Sequence, residues 1–124
     1  MTAGFPREAR LLSGVAFRHV FDARQVESNR YFRIHWADRP EPGDRSESSR
    51  LAGARLGLAI AKRVARRAVD RNRIRRIARE TFRQRRQRLR PVDFVVLAKP
   101  LATDADARTL KLALEQLWSR FESS

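Results

Sequence analysis

Arginine is the residue with the most chemistry to offer in this sequence. Between Lys62 and Arg90 stand 14 basic side chains and only 2 acidic ones, Asp70 and Glu80, so this segment carries +12 of the chain's net charge of +14. Of 28 basic residues, 25 are arginine, the exceptions being Lys62, Lys99 and Lys111. A guanidinium presents a planar fork of donors that fits phosphate oxygens and stacks on bases. Charge this concentrated implies a polyanionic partner. A solvated helix face mixes signs; this one does not.

The spacing sharpens that inference. Arg71, Asn72 and Arg73 share one turn, and Arg75, Arg76, Arg79, Arg83 and Arg86 follow. Asn72, Arg76, Arg79, Arg83 and Arg86 are separated by alternating steps of four and three, which places them on one helix face, away from Ile74 and Ile77. Like charges in such a row repel. A phosphate backbone relieves the repulsion and adds counterion release. Basic helices also serve membranes and calmodulin-type partners. Those uses need a free apolar face, whereas this helix is expected to spend its apolar stripe on a sheet.

Phe17 and Phe21, one turn apart, are candidates either for the core or for a stacking surface against single-stranded RNA, where a base on an aromatic ring contributes roughly 1–3 kcal/mol. Arg33, His35 and the small residues of Arg55–Ala61 could complete a groove. No catalytic apparatus accompanies these residues. There is no cysteine, which excludes disulfides, thiolate chemistry and cysteine zinc sites. His19 and His35 lack partners at ligand spacing, so no metal site is expected. Asp70 and Glu80 stand ten residues apart among arginines, where ion pairing is the simpler role. A self-sufficient nuclease would need clustered carboxylates for metal ions or a histidine acid–base pair.

Several elements must position these side chains. At 124 residues the chain suits one domain, 1–124, expected to bind RNA. Ser13 can cap a helix running to about Phe21. Tyr31–Ala37 alternates as a strand, with Phe32, Ile34 and Trp36 on one side and Tyr31, Arg33 and His35 on the other. Asp38–Arg50, rich in Pro, Gly, Ser and charge, is expected to be a mobile, hairpin-like loop. In Arg55–Ala61, Leu56, Leu58 and Ile60 form a core face, leaving the small residues Gly57, Ala59 and Ala61 opposite, where another surface can approach. A 3.6-residue period takes over from Ala68 to Leu89, with Ile74, Ile77, Ala78, Thr81, Phe82 and Leu89 on its stripe; Pro91 stops it. Val92–Ala98 is apolar apart from Asp93, as for a strand covered on both sides. Asp104 or Asp106 caps a last helix with Leu110, Ala113, Leu114, Leu117, Trp118 and Phe121 inward.

The order is helix, strand, strand, helix, strand, helix, with an extra strand near Val26 as an option. It specifies an α+β sandwich. Met1–Leu12 lacks the apolar run of a signal peptide, and no stretch is long and apolar enough to span a membrane. A cytoplasmic protein with no membrane partner is expected.

Three segments together resemble the ribonuclease P protein family: Arg55–Arg63 (RLGLAIAKR), Arg66-Arg67-Ala68, and Arg71–Arg76 (RNRIRR) followed by Arg79–Arg83 (RETFR). Asp93–Lys99 (DFVVLAK), Phe5–Leu12 and the Phe17…Phe21 helix fit the same pattern, so the resemblance covers nearly the whole chain. It implies a protein that assists a catalytic RNA, using Mg²⁺ bound mainly by that RNA, in removing 5′ leaders from precursor tRNA. It implies an RNA-subunit surface at Arg66, Arg67, Arg71, Asn72, Arg73, Arg76, Arg79 and Arg83, and no catalytic residue in the protein. The leader cleft would comprise Phe17, Phe21, Arg33, His35, Ala59, Ala61 and Lys62. Some relatives carry Tyr at the position of His35 and Ser at those of Ala59 and Ala61. The resemblance also implies a left-handed strand–helix–strand crossover, as in some ribosomal-protein domains, where general rules favour the right-handed form. The free protein is expected to be a monomer. A structural RNA-binding protein of the ribosome is the alternative function.

Overall fold

The first described helix of the computed structural model, α1 (Gly14–Asp22), ends as Arg24 takes a positive φ of 56°, which lets the chain reverse into β1 (Gln25–Ser28). The optional strand near Val26 is therefore present. The structure describes Arg10, residues 14–38 and residues 53–122. The proposed cap at Ser13 and residues 39–50 of the expected loop lie outside them.

β2 (Phe32–Ala37) pairs antiparallel with β1. The link between them is held by Asn29, whose Oδ1 accepts from the backbone N–H groups of Tyr31 and Phe32, each at 3.0 Å. β3 (Arg55–Ala59) stops two residues short of the expected end, because the Ala61 carbonyl turns to accept from Val64 and Ala65 N–H. α2 (Ala68–Arg85) then carries the arginine-rich segment. The expected helix to Leu89 tightens into a 3₁₀ turn, Arg86–Arg88, before Arg90 N–H pairs with the Phe121 carbonyl at 3.0 Å and Pro91 precludes continuation. β4 (Asp93–Ala98) lies between β2 and β3, antiparallel to the first and parallel to the second, in the order β1-β2-β4-β3. A short α3 (Leu101–Asp104), which periodicity did not suggest, precedes α4 (Ala107–Ser119). Asp106, not Asp104, caps α4, accepting from Thr109 N–H at 2.8 Å.

The sheet has helices on both faces. α2 and α4 pack against one face through Ile74, Ala78 and Phe82, and through Leu110, Leu114, Leu117 and Trp118. These meet Phe32, Ile34, Leu56, Phe94 and Val96 from the strands. Phe82, Phe94, Trp118 and Phe121 interlock edge to face, with Phe94–Phe121 centroids at 4.9 Å and Phe94–Trp118 at 5.3 Å. The Trp118 indole N–H is satisfied by Thr81 Oγ1 at 3.0 Å, so the largest buried ring leaves no orphan donor. α1 covers part of the other face, with Val20 against Ala37 and Val95. The central position of β4 explains its unbroken apolar run: Phe94 and Val96 face the large core, and Val95 faces α1.

The one polar residue of that strand is Asp93, buried to 1 % exposure. Its carboxylate receives a two-pronged hydrogen bond from Arg55, Nε to Oδ1 and Nη2 to Oδ2, both 2.7 Å. The fork fixes the register of the only parallel pair among the described strands.

Candidate nucleic-acid interface

α2 presents its predicted row to solvent. Asn72, Arg76 and Arg79 are exposed, opposite the buried Ile74, Ala78 and Phe82. Arg83 continues the row but is half-buried, and its Nη2 reaches Glu80 at 2.6 Å. An i,i+3 pair as solvent-accessible as this one contributes little to stability, so a phosphate can compete for Arg83. Arg66 and Arg67 are exposed just ahead of the helix, with Arg67 at its N-cap.

Two arginines of the implied set turn inward. Arg71 Nη1 donates to the carbonyls of Ala65 at 2.9 Å and Arg66 at 2.8 Å, folding the preceding loop onto the first turn. Arg73 donates from Nη1 to Ala105 O at 2.9 Å and from Nη2 to Thr103 O at 3.1 Å, binding the α3–α4 connection to α2. Neither belongs to the row of fours and threes, so helical spacing had already separated them. Arg86, the last member of the row, also turns back: its Nε donates to Ala54 O at 2.9 Å beside Gly53.

The second surface lies on the α1 side of the sheet. Strand register sets Ser28, Arg33, Leu97 and Ala59 in one cross-strand line, and Val26, His35, Val95 and Gly57 in the next. The small-residue face has a specific use: the Phe17 ring lies directly over Gly57, so close that a Cβ there would stand 2.5 Å from Phe17 Cζ. Phe17 is therefore partly packed and partly open, serving as both core and wall. Phe21 meets the His35 ring edge to face at 5.0 Å. The Arg33–Leu97–Ala59 line is left as the floor beside this wall. Leu97 belongs to it and the exposed Val26 to the neighbouring His35 line, and neither was singled out from the sequence as part of the cleft; the alternation within Val92–Ala98, carried across the register, is the signal that places Leu97 there.

Burial, and secondarily the charge of Arg33, lowers the pKa of His35 below its ordinary 6.5, so the imidazole is neutral at physiological pH. Its Nδ1 is buried without a hydrogen-bond partner among the described residues. A neutral ring of this kind offers an apolar face next to a cationic neighbour, a combination that accepts a base and its phosphate. His19 stands apart from this, its Nε2 2.8 Å from the Asp38 carbonyl.

Ala61 and Lys62 lie just beyond β3, at the end of the sheet that holds the Arg33 line. The same loop carries Arg66 and Arg67, and Arg71 clamps it to α2. The two surfaces thus meet at one short segment. Among the described residues no three His, Asp or Glu side chains gather where they could hold a metal ion. No helix among them is long and apolar enough to cross a membrane.

The family model described as Ribonuclease P matches residues 5–122. The ribonuclease P protein component of Thioalkalivibrio sulfidiphilus is 44% identical over 121 residues, covering 97% of this chain and 92% of that protein. That of Salmonella arizonae is 43% identical, covering 94% and 89%. In architecture, the RNase P protein of Staphylococcus aureus superposes with a TM-score of 0.76 at 23% identity, over 90% of this chain and 94% of that one. The RNase P protein of Thermotoga maritima gives 0.72 at 23%, over 92% and 98%. At that identity the structures speak for the fold, and the closer sequences with the family match speak for descent: the chain belongs to the ribonuclease P protein family.

Proposed function

We propose that this chain works as the protein subunit of ribonuclease P, holding the catalytic RNA on α2 and the 5′ leader of precursor tRNA in the cleft beside α1, so that the leader is removed at the mature 5′ end. The observation that carries the proposal is the shared loop: residues 61–67 join the cleft floor to the N-terminus of the arginine helix, so two RNA strands bound there are held side by side. Arg66, Arg67, Asn72, Arg76, Arg79 and Arg83 contact the RNA subunit directly. Arg71 and Arg73 serve the same surface chiefly by fixing its flanking loops. In the cleft, Phe17, Phe21 and His35 stack on unpaired bases. Arg33 and Lys62 take phosphates, and Ala59 and Ala61 keep the floor shallow.

Phosphodiester hydrolysis is assigned to the RNA partner, a reading in keeping with described protein residues that gather no three carboxylates or histidines where metal ions could be held. Mg²⁺ belongs with that RNA, where it supplies charge stabilisation. The protein's part is electrostatic. With phosphates neutralised by +12 of local charge, two polyanions approach at ionic strengths that would otherwise keep them apart. We assign the free protein as a cytoplasmic monomer acting as one domain.

A leader-length series tests this. The affinity that the protein adds to the RNA subunit for precursor tRNA should rise as the leader lengthens into the cleft, and vanish for a leaderless tRNA. An equal gain with and without a leader would remove the cleft assignment.

A further inference from the structure

A groove of about 660 Å³ runs between α2 and α4, flanked by Arg76, Glu80 and Gln84 on one side and by Arg108 and Lys111 on the other, with Ile77 inside. Its size lies within the range of small-ligand sites. Its chemistry is mixed in a particular way. Three cations rim it, and the lone carboxylate, Glu80, is already paired with Arg83 at 2.6 Å, so the rim is strongly positive. The half-buried Ile77 supplies an apolar surface, and Gln84 supplies an amide whose Nε2 donates to Glu80 Oε1 at a long 3.4 Å, leaving its second N–H and its carbonyl for a ligand. The deeper Thr81 hydroxyl is committed to Trp118 and Ala78 and is not available.

The groove is also fixed in place. Arg73 ties the carbonyls of Thr103 and Ala105 to α2, and Asp106 caps the first turn of α4, so Arg108 is carried on an anchored helix end. Arg76 belongs at once to this groove and to the exposed row of α2. Anything bound along that row passes the groove's mouth.

A flat cationic face suits a duplex backbone; a concave site with cations at the rim and an apolar interior suits a phosphate together with its base. We propose that the groove receives one unpaired nucleotide extruded from the bound RNA subunit, its phosphate among Arg76, Arg108 and Lys111 and its base against Ile77 beside Gln84. This rests on α2 being the surface that faces that RNA. Continuity through Arg76 favours RNA over an acidic protein segment, which would have no reason to share the row.

The test uses the full chain bound to a bacterial ribonuclease P RNA, with the double variant Arg108→Ala/Lys111→Ala and, separately, Arg79→Ala. Both α4 side chains are exposed, so their removal leaves the fold intact. Two readouts are taken: the salt dependence of RNA affinity, and 2′-hydroxyl acylation of the RNA at nucleotide resolution. Loss of the one single-strand phosphate contact lowers the log–log salt slope by about 0.7, so a fourfold rise in salt weakens the double variant about 2.6-fold less than the parent. The parent should alter acylation at a discrete unpaired nucleotide, and the double variant should restore its free-RNA reactivity. An unchanged slope and map would overturn the proposal and leave an acidic protein partner as the groove's use. A reduced slope with an unchanged map would overturn it too, since backbone alone would then be bound. If Arg79→Ala also leaves RNA binding unchanged, the failure lies with α2 as the RNA surface; if only Arg79→Ala acts, it lies with the groove.

Discussion

Gly57 is the position where fold and cleft are most tightly coupled, and Gly57→Ala separates their energetics. A methyl there would meet Phe17 Cζ at 2.5 Å, Cε1 at 2.9 Å and Cε2 at 3.1 Å. Ordinary carbon contact is about 3.5–4.0 Å, so the ring has to withdraw by roughly 1 Å. Phe17 sits on α1, whose other anchor, Val20, is fully buried against Val95 and Ala37, so the helix cannot simply lift away. Overpacking of this kind costs about 1–3 kcal/mol, and in a chain of this size each kcal/mol lowers Tm by about 4 °C. The three nearest atoms all belong to the Phe17 ring, which makes a double-mutant cycle decisive. Gly57→Ala should destabilise the parent by that amount in urea unfolding and cost close to nothing in a Phe17→Ala background. Leader affinity in the holoenzyme should fall in both Gly57→Ala and Phe17→Ala, while affinity for the RNA subunit stays unchanged. Additive stability effects, or a leader affinity untouched by Gly57→Ala, would refute the account of Phe17 as a ring shared by core and cleft.

Other positions give independent checks. Arg79→Ala removes an exposed cation, so stability should hold within about 0.5 kcal/mol while the salt slope for RNA-subunit binding drops by about 0.9; an unchanged slope would take Arg79 out of the interface. Asp93→Ala strands the Arg55 fork at the base of β3. Because the Arg55 side chain keeps 30% exposure, the cost should lie at the lower end for a broken buried pair, about 3 kcal/mol in denaturant unfolding, and a negligible loss would contradict a register-fixing role. For His35 the folded pKa lies below 6.5, so below that value the unfolded chain binds more protons. Its contribution to stability is whole above pH 6.5 and is lost as pH falls through the folded pKa. The Tm of the parent should therefore fall more between pH 7 and pH 5 than that of His35→Gln, and identical pH profiles would contradict burial of the neutral ring.

Much of this arrangement was legible in the residue pattern, and the exceptions have physical reasons. The stripe from Leu110 to Phe121 is buried as its period required, because a helix against a sheet must hide one continuous face. The row Asn72, Arg76, Arg79 came from the same periodicity read on the opposite side. Arg71 and Arg73 came from the family motif rather than from spacing, and spacing was the better guide to where their guanidiniums point. Their carbonyl partners lie in loops 65–66 and 103–105, whose paths no local pattern reveals. The contact between Phe17 and Gly57 is likewise non-local: small residues announced a close approach, but only the packing of α1 on β2 and β4, which carries Phe17 over Gly57 of β3, identifies the ring that makes it. Leu97 entered the cleft floor through strand order, with β4 inserted between β2 and β3, which alternation alone cannot supply.

The most direct test of the central claim is precursor-tRNA cleavage at low Mg²⁺ by the purified chain, with and without a bacterial ribonuclease P RNA. Cleavage at the mature 5′ end only when both are present is the predicted result. Cleavage by the protein alone, or no stimulation of a competent RNA, would contradict it.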